Sequence, residues 1–299
     1  MRSSYENQSN LRYVVFMVIA MVAFAIEDVI IKQLAFKLPI SQVLISVGLS
    51  GLLVLYGLSI LKKEPVAHRR FIDVKFLLRM LCELVSSVFF VITLVYVSIT
   101  VSSALLQIVP IMMTIGGGVF FKEPVNSKQW ILILVGLFGT LLVIQPGTEI
   151  FNPLSLFALA GAVFLTLRDL VTFSMSNNYP PVAIAFWGFV SLTLGGVVSL
   201  PFFGPFCEFS INDILFVAAS SFFGPVAYLA LIYATRGGEI GVVAPFRYSR
   251  LPIAVLMGIV FFDESPNNFT LWGCGLIVVS GFLILVMSNN RKSKSTRSN

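Results

Sequence analysis

The stretch VVAPFRYSRLP at residues 242–252 lies between GEIG (238–241) and IAVLMGIVFF (253–262), inside a segment otherwise apolar enough to cross a bilayer. It holds two arginines, Arg247 and Arg250, and two prolines, Pro245 and Pro252. A charge near mid-bilayer costs at least about 2.5–3.5 kcal/mol on insertion scales, and an interior proline removes a backbone donor and strains the turn before it. A segment that keeps both penalties together points to a wall built for something other than lipid.

The rest of the chain agrees with a membrane setting. Its 299 residues are 57% hydrophobic and 11% charged, with a mean hydropathy of +0.94. Soluble domains carry roughly 25% charged residues, so the class is a polytopic, all-α membrane protein. Ten spans are expected, near 13–37, 39–61, 75–97, 101–121, 128–145, 153–176, 180–203, 211–235, 239–262 and 270–288; about twenty residues suffice to cross the ~30 Å hydrocarbon core. The polar start MRSSYENQSN and the long apolar run after Leu11 do not read as a cleavable signal, so the first helix is expected to stay.

The net charge of +6 is not a nucleic-acid signature, because cations of membrane proteins gather in cytoplasmic loops. With both ends inside, Arg2, Arg12, Lys62, Lys63, Arg69, Arg70, Lys75, Lys122, Lys128, Arg236 and the RKSKSTR tail face the cytoplasm, while Lys37 and the acids Glu149, Glu208, Asp213, Asp263 and Glu264 face out. The expected setting is a bacterial inner membrane. Cys82, Cys207 and Cys274 are far apart, and the single histidine, His68, sits in a basic loop; no metal or redox motif, catalytic residue or cofactor site is expected.

A shift of 141 residues superposes Asp28 on Asp169, Pro39 on Pro180 and Phe120-Phe121-Lys122-Glu123 on Phe261-Phe262-Asp263-Glu264. Five spans per half, an odd number, invert the second half relative to the first. Inverted repeats mark secondary transporters with a site between the halves. The expected division is a short segment 1–12, a first repeat 13–147, a second repeat 148–288 and a basic tail 289–299.

GLFGTLLVIQPG (136–147), the paired FFKEP (120–124) and FFDESP (261–266), and GEIGVVAPFRYSRLPIAVLMG (238–258) together resemble the drug/metabolite transporters of the EamA type. The last stretch is similar to the ninth helix of the subgroup that includes riboflavin and S-adenosylmethionine transporters. The resemblance implies ten helices in two repeats and movement of a small metabolite without ATP hydrolysis.

Arg247 and Arg250, three residues apart, are expected to share a helix face and to offer bidentate donors to a carboxylate or phosphate; the alternative is an ion pair that ties helices together. They fall on Leu106 and Val109 under the shift, so they break the pseudo-symmetry, as ligand contacts would. Tyr248, Gln107 and Arg168 join them as substrate candidates. Glu27, Asp28 and Asp169 are candidates for proton coupling, with exchange the alternative. Asp28 and Lys32 at i, i+4 would neutralise each other, as would Arg79 and Glu83, with Arg79 snorkelling. Arg168 and Asp169, about 100° apart on a helix, are expected to reach different partners. Pro110, Pro245 and Pro252 are the candidate kinks for gating.

Tyr96, Trp187, Tyr228, Tyr233 and Tyr248 are possible stacking groups, and the glycines at 116–118, 136, 139, 195–196, 273 and 275 are expected to allow close helix approach. Counting Lys32, Arg79, Arg168, Arg247 and Arg250 against Glu27, Asp28, Glu83 and Asp169 leaves one positive charge over, which suits an anionic or zwitterionic ligand. An integral-membrane enzyme or a structural membrane protein is the alternative class; a homodimer is left open.

Overall fold

The computed structural model describes residues 2–66, 73–120, 127–145, 151–175, 179–237 and 244–297. His68, FKEP (121–124), the PG of 146–147 and GEIGVV (238–243) lie outside the described residues. The chain runs through α1 (Arg2–Ala35), α2 (Ile40–Lys62), α3 (Val74–Tyr96), α4 (Ile99–Leu106), α5 (Val109–Phe120), α6 (Ser127–Ile144), α7 (Ser155–Ser174), α8 (Pro181–Phe203), α9 (Ile211–Gly237), a 3-10 helix (Ala244–Ser249), α10 (Arg250–Phe262) and α11 (Asn268–Arg297). Strands are absent among the described residues. Helices α1, α2, α3, α7, α8 and α9 are each long and apolar enough to cross a bilayer. The remaining four of the ten passages are α4 with α5, α6, the 3-10 helix with α10, and α11.

The 141-residue repeat is visible in the backbone. Pro39 and Pro180, equivalent positions, precede α2 and α8 with nearly the same angles (φ −57, ψ 145 and φ −59, ψ 140). Proline's fixed φ suits a helix entry, where its missing N–H is no loss. The same two helices end on equivalent residues with positive φ, Lys63 (φ 55) and Gly204 (φ 86). At Gly204 the absence of a Cβ makes that conformation free of strain.

The fourth and ninth passages are both interrupted, at equivalent heights. After Leu106 the backbone tightens: Gln107 N–H donates to Ala104 O and Ile108 N–H to Leu105 O, the i→i−3 pattern of a 3-10 turn. The ninth passage changes from 3-10 to α between Ser249 and Arg250. Position 107 corresponds to 248 and 108 to 249. The prolines therefore act differently from the interior kinks expected from sequence. Pro110 is the second residue of α5 and Pro252 the third of α10, and each starts a helix where orphan donors are normal. True interior prolines lie elsewhere, at Pro201 in α8 and Pro225 in α9.

The closest helix pairs join one half of the chain to the other: α2 with α8, α1 with α9, α3 with α7, and α6 with α11. Two of these, α1–α9 and α3–α7, are related by the repeat, and the other two pair equivalent helices with each other. Small residues make the approach possible, as expected where lipid supplies no hydrophobic drive between helices. A Cβ placed on Gly139 would lie 2.9 Å from Gly273 O, and one on Gly273 would lie 2.6 Å from Gly139 O. Gly196 approaches the Ile45 backbone in the same way. Gly275 has open space around it and plays no such part.

At the end of the bundle where α1 finishes, Leu34, Leu38, Ile40, Val43, Leu44, Leu94 and Ile99 form an apolar plug. Across it runs an ion pair missing from the sequence reading, between Lys32 Nζ and Glu264 Oε1 at 3.5 Å. Glu264 also accepts from the N–H groups of Ile99 and Thr100, and Ser98 Oγ accepts from Val101 N–H at 3.2 Å. A side-chain cap and a carboxylate at a helix N-terminus each satisfy orphan donors. Lys32 donates to Val97 O at 2.8 Å as well. Glu264, expected in an outer loop from sequence, is thus a half-buried tie between α1, α4 and the end of α10. Glu264→Gln is expected to lower the melting temperature by loosening the start of α4; an unchanged melting temperature in detergent would discount the tie.

Candidate substrate site

Inside the bundle, the interrupted passages meet α1, α3, α7 and α9 around a cavity of about 180 Å³, room for about six waters at ~30 Å³ each. Glu27, Asp28, Glu83, Arg168, Arg247 and Arg250 reach it, together with Gln107 and Tyr228. Phe24, Phe90 and Phe189 supply apolar wall. Three acids and three bases at a mid-bilayer cavity are costly to hold, and their pairing explains how the fold keeps them.

Arg250 Nη2 donates to Asp28 Oδ2 at 2.6 Å, and its guanidinium lies 5.3 Å from the Phe24 ring and 5.5 Å from the Phe90 ring. The planar cation stacked between two quadrupoles is pinned. Arg247 Nη1 donates to Asp169 Oδ2 at 3.1 Å. The two symmetry-breaking arginines are therefore held by the two symmetry-related aspartates. One of them takes α1 and the other α7.

The larger cluster centres on Glu83 of α3. Arg168 Nη1 donates to both its oxygens, at 2.8 and 3.0 Å. Arg79 Nη2 lies 3.5 Å from Oε2, and the Tyr228 hydroxyl donates to Oε2. Arg79 also donates to Tyr228 Oη at 2.5 Å and to Thr172 Oγ1 at 3.1 Å. Arg168 turns back to Asp169 Oδ1, with Nη2 at 2.7 Å and Nε at 3.0 Å. Arg79, Arg168 and Arg247 thus share Glu83 and Asp169 in one chain of charge-assisted bonds.

Several expectations need correcting. Asp28 and Lys32 do not neutralise each other, because Asp28 faces Arg250 while Lys32 points to Glu264. Arg168 and Asp169 do pair, since a long guanidinium spans the angle between neighbouring residues, and each also reaches another helix. Arg79 does not snorkel; it is 2% exposed and belongs to the cluster. Including Glu264 brings five acids against five bases, which removes the surplus positive charge. Arg247 and Arg250 diverge rather than presenting one shared face.

Tyr248 is buried against Gly281, among Ala104, Leu105 and Ile277, away from the cavity, because the 3-10 turn rotates it behind the arginines. Trp187 Nε1 donates to Val66 O, Tyr233 stacks under Lys62, and Tyr96 is exposed, which leaves Tyr228 as the aromatic hydroxyl of the site. Gln107, Arg168, Arg247, Arg250, Glu27 and Asp28 are brought together at the cavity, with Asp169 and Pro110 beside them. The hub Glu83–Tyr228 escaped sequence reasoning. Glu83 has a local partner at i−4, and Tyr228 stands out from the sequence only as one of several possible stacking aromatics, not as a hydrogen-bond partner of Glu83.

The cavity is thus charged and lined by residues of both halves of the chain. Comparison with known proteins gives the chain a family. A model of the EamA-like transporter family matches the chain twice, over residues 11–145 and 153–286. The riboflavin transporter of Rhizobium johnstonii is 25% identical over 287 residues, covering 93% of this chain and 92% of that protein. The S-adenosylmethionine uptake transporter of Rickettsia conorii is 25% identical over 291 residues, covering 93% and 94%. A crystal structure covering 94% of this chain and 98% of its own shares the fold, with a TM-score of 0.65 at 14% identity. The chain belongs to the EamA-like transporter family. It is an integral membrane transporter of a small metabolite.

Proposed function

We propose that the chain is a secondary carrier that moves its metabolite by alternating access, with the substrate held in the central cavity. The observation that supports this reading most is the pair of interrupted passages. After the breaks, α5 begins at Val109 and α10 at Arg250, equivalent positions in the two halves, and both residues reach the charged cavity. Discontinuous helices at a repeat interface are where such carriers bind and hinge. Pro110, Pro245 and Pro252 belong to these hinges. The repeats are taken as 13–147 and 148–288, with 1–12 and 289–299 at the cytoplasmic face of a bacterial inner membrane. The substrate class is a small metabolite, as for the relatives named for riboflavin and S-adenosylmethionine.

Proton coupling or exchange falls to Glu27 in this reading, since Asp28 and Asp169 are held by arginines.

Alternating access is tested with Ser87→Cys, at the cavity, in a chain whose Cys82, Cys207 and Cys274 have been replaced. A membrane-impermeant thiol reagent is expected to modify it from either face of oriented vesicles; modification from one face only contradicts the carrier reading. Orientation has a simpler test. The exposed native Cys207, between α8 and α9, is expected to react in intact cells with an impermeant maleimide, and protection until lysis would reverse the assignment.

A further inference from the structure

The repeat relates the contact between Arg168 and Glu83 to one between positions 27 and 224, because 168 lies 141 residues after 27 and 224 lies 141 after 83. The fold preserves the contact: a Cβ placed on Gly224 would lie 2.4 Å from Glu27 Oε1. The chemistry is not preserved. On one side Arg168 meets the Glu83 carboxylate; on the other Glu27 meets a glycine. The other members of the cluster are replaced in the same way. Tyr228 corresponds to Ser87, which reaches the cavity, and Arg79 to Ser220. One half of the pseudo-symmetric site holds a charge cluster; in the other, a glycine and two serines stand where its members would be, and Glu27 is the acid that remains.

Counting charges by cluster gives the same asymmetry. Arg79, Arg168 and Arg247 against Glu83 and Asp169 leave one positive charge. Asp28 and Arg250 cancel. Glu27, 7% exposed, has neither an ion pair nor a hydrogen bond among the described residues. Only one hydrogen bond is made by the Arg247 guanidinium among the described residues, so its remaining donors are open to a ligand at the cavity. An unpartnered carboxylate at this depth is costly, and the cost falls when an opposite charge arrives.

We infer that the substrate is a small amino-acid-type zwitterion whose cationic group binds Glu27, giving this position the charge partner that the equivalent Arg168 finds in Glu83, and whose carboxylate binds Arg247. Gln107, whose amide has no hydrogen-bond partner among the described residues, adds a polar contact between the two poles. Glu27 is thereby a specificity-determining residue: a plain anion satisfies Arg247 and leaves Glu27 bare. This rests on the carrier reading for the cavity but concerns only what fills it.

The experiment is a thermal-shift and calorimetric screen of the purified full-length protein in detergent. The probes are the twenty standard L-amino acids and S-adenosylmethionine, each amino acid being paired with its N-acetyl derivative, which keeps the carboxylate and loses the cation. At least one zwitterion is expected to stabilise the protein while its N-acetyl partner does not. Glu27→Gln is expected to weaken that zwitterion about 10- to 100-fold, the range for a charge-assisted bond, without lowering the melting temperature of the empty protein. Equal binding of the N-acetyl partner, undiminished binding to Glu27→Gln, or no binding by any zwitterion overturns the inference. The N-acetyl comparison uses only the native chain, so it decides even if the variant folds poorly. A zwitterion that binds in this Glu27-dependent way yet does not cross proteoliposome membranes refutes the carrier reading alone; an anion that crosses without dependence on Glu27 refutes the ligand assignment alone.

Discussion

Replacing Glu83 with alanine is expected to destabilise the protein by about 3–5 kcal/mol, the cost of leaving buried charges without their partner. At roughly 2–4 °C per kcal/mol, the melting temperature in detergent should fall on the order of 10 °C. The reason is the number of groups that share this one carboxylate. Arg168 donates to both oxygens, the Tyr228 hydroxyl donates to one, and Arg79 stands 3.5 Å away. Asp169 would be left to balance three arginines. Glu83→Gln keeps an acceptor for Tyr228 and loses the charge, so it should fall between wild type and alanine. Removing Arg168 together with Glu83 should cost less than the two single changes added, because residues of one network are not additive. A Glu83→Ala protein melting within a degree or two of wild type would mean that the cluster contributes little to holding α3, α7 and α9.

Gly273→Leu is the second large effect. It should destabilise the protein by at least about 1–3 kcal/mol, the usual cost of overpacking, and more here because the obstructing atom is backbone. The added Cβ would lie 2.6 Å from Gly139 O and 2.7 Å from Val143 Cγ2, so α6 and α11 must separate along their length. Gly275→Leu, on the same helix with open space around it, is the matched control and should be close to neutral. Comparable melting temperatures for the two variants would contradict the close crossing of these helices.

Much of this architecture is legible in the chain because the two signals behind it are local. Apolar runs give the passages. Pro39 with Pro180 and Asp28 with Asp169 give the repeat, and these residues then occupy the same structural positions in both halves. Pro110 and Pro252 correctly mark where two passages are interrupted, although as helix starts and not as kinks. Partner choice is the part that is not local. Arg79 with Glu83 and Asp28 with Lys32 read as self-contained pairs because i, i+4 spacing is the nearest solution within one helix. In the bundle α1 also meets α10, which offers Arg250 to Asp28 while Lys32 turns to Glu264, and α3 lies against α7, which adds Arg168 to the Arg79–Glu83 pair. The partners of Glu264 are not local either: the turn after α10 folds inward onto the start of α4. Gly224 carried no signal of its own; its meaning emerges only once Glu27 is seen resting on it.

The cross-pairing of the halves also has a consequence for synthesis. Asp28 and Arg250 are separated by 222 residues. At about 5–20 residues per second, the ribosome needs on the order of 10–40 s to deliver the partner after the acid has left the tunnel. During that interval the nascent first half sits at the insertion machinery with Asp28 unmatched and with the helix faces meant for α7, α8, α9 and α11 uncovered. Maturation is therefore late and concerted, and a chain truncated before Arg250 is a substrate for membrane quality control rather than half a carrier.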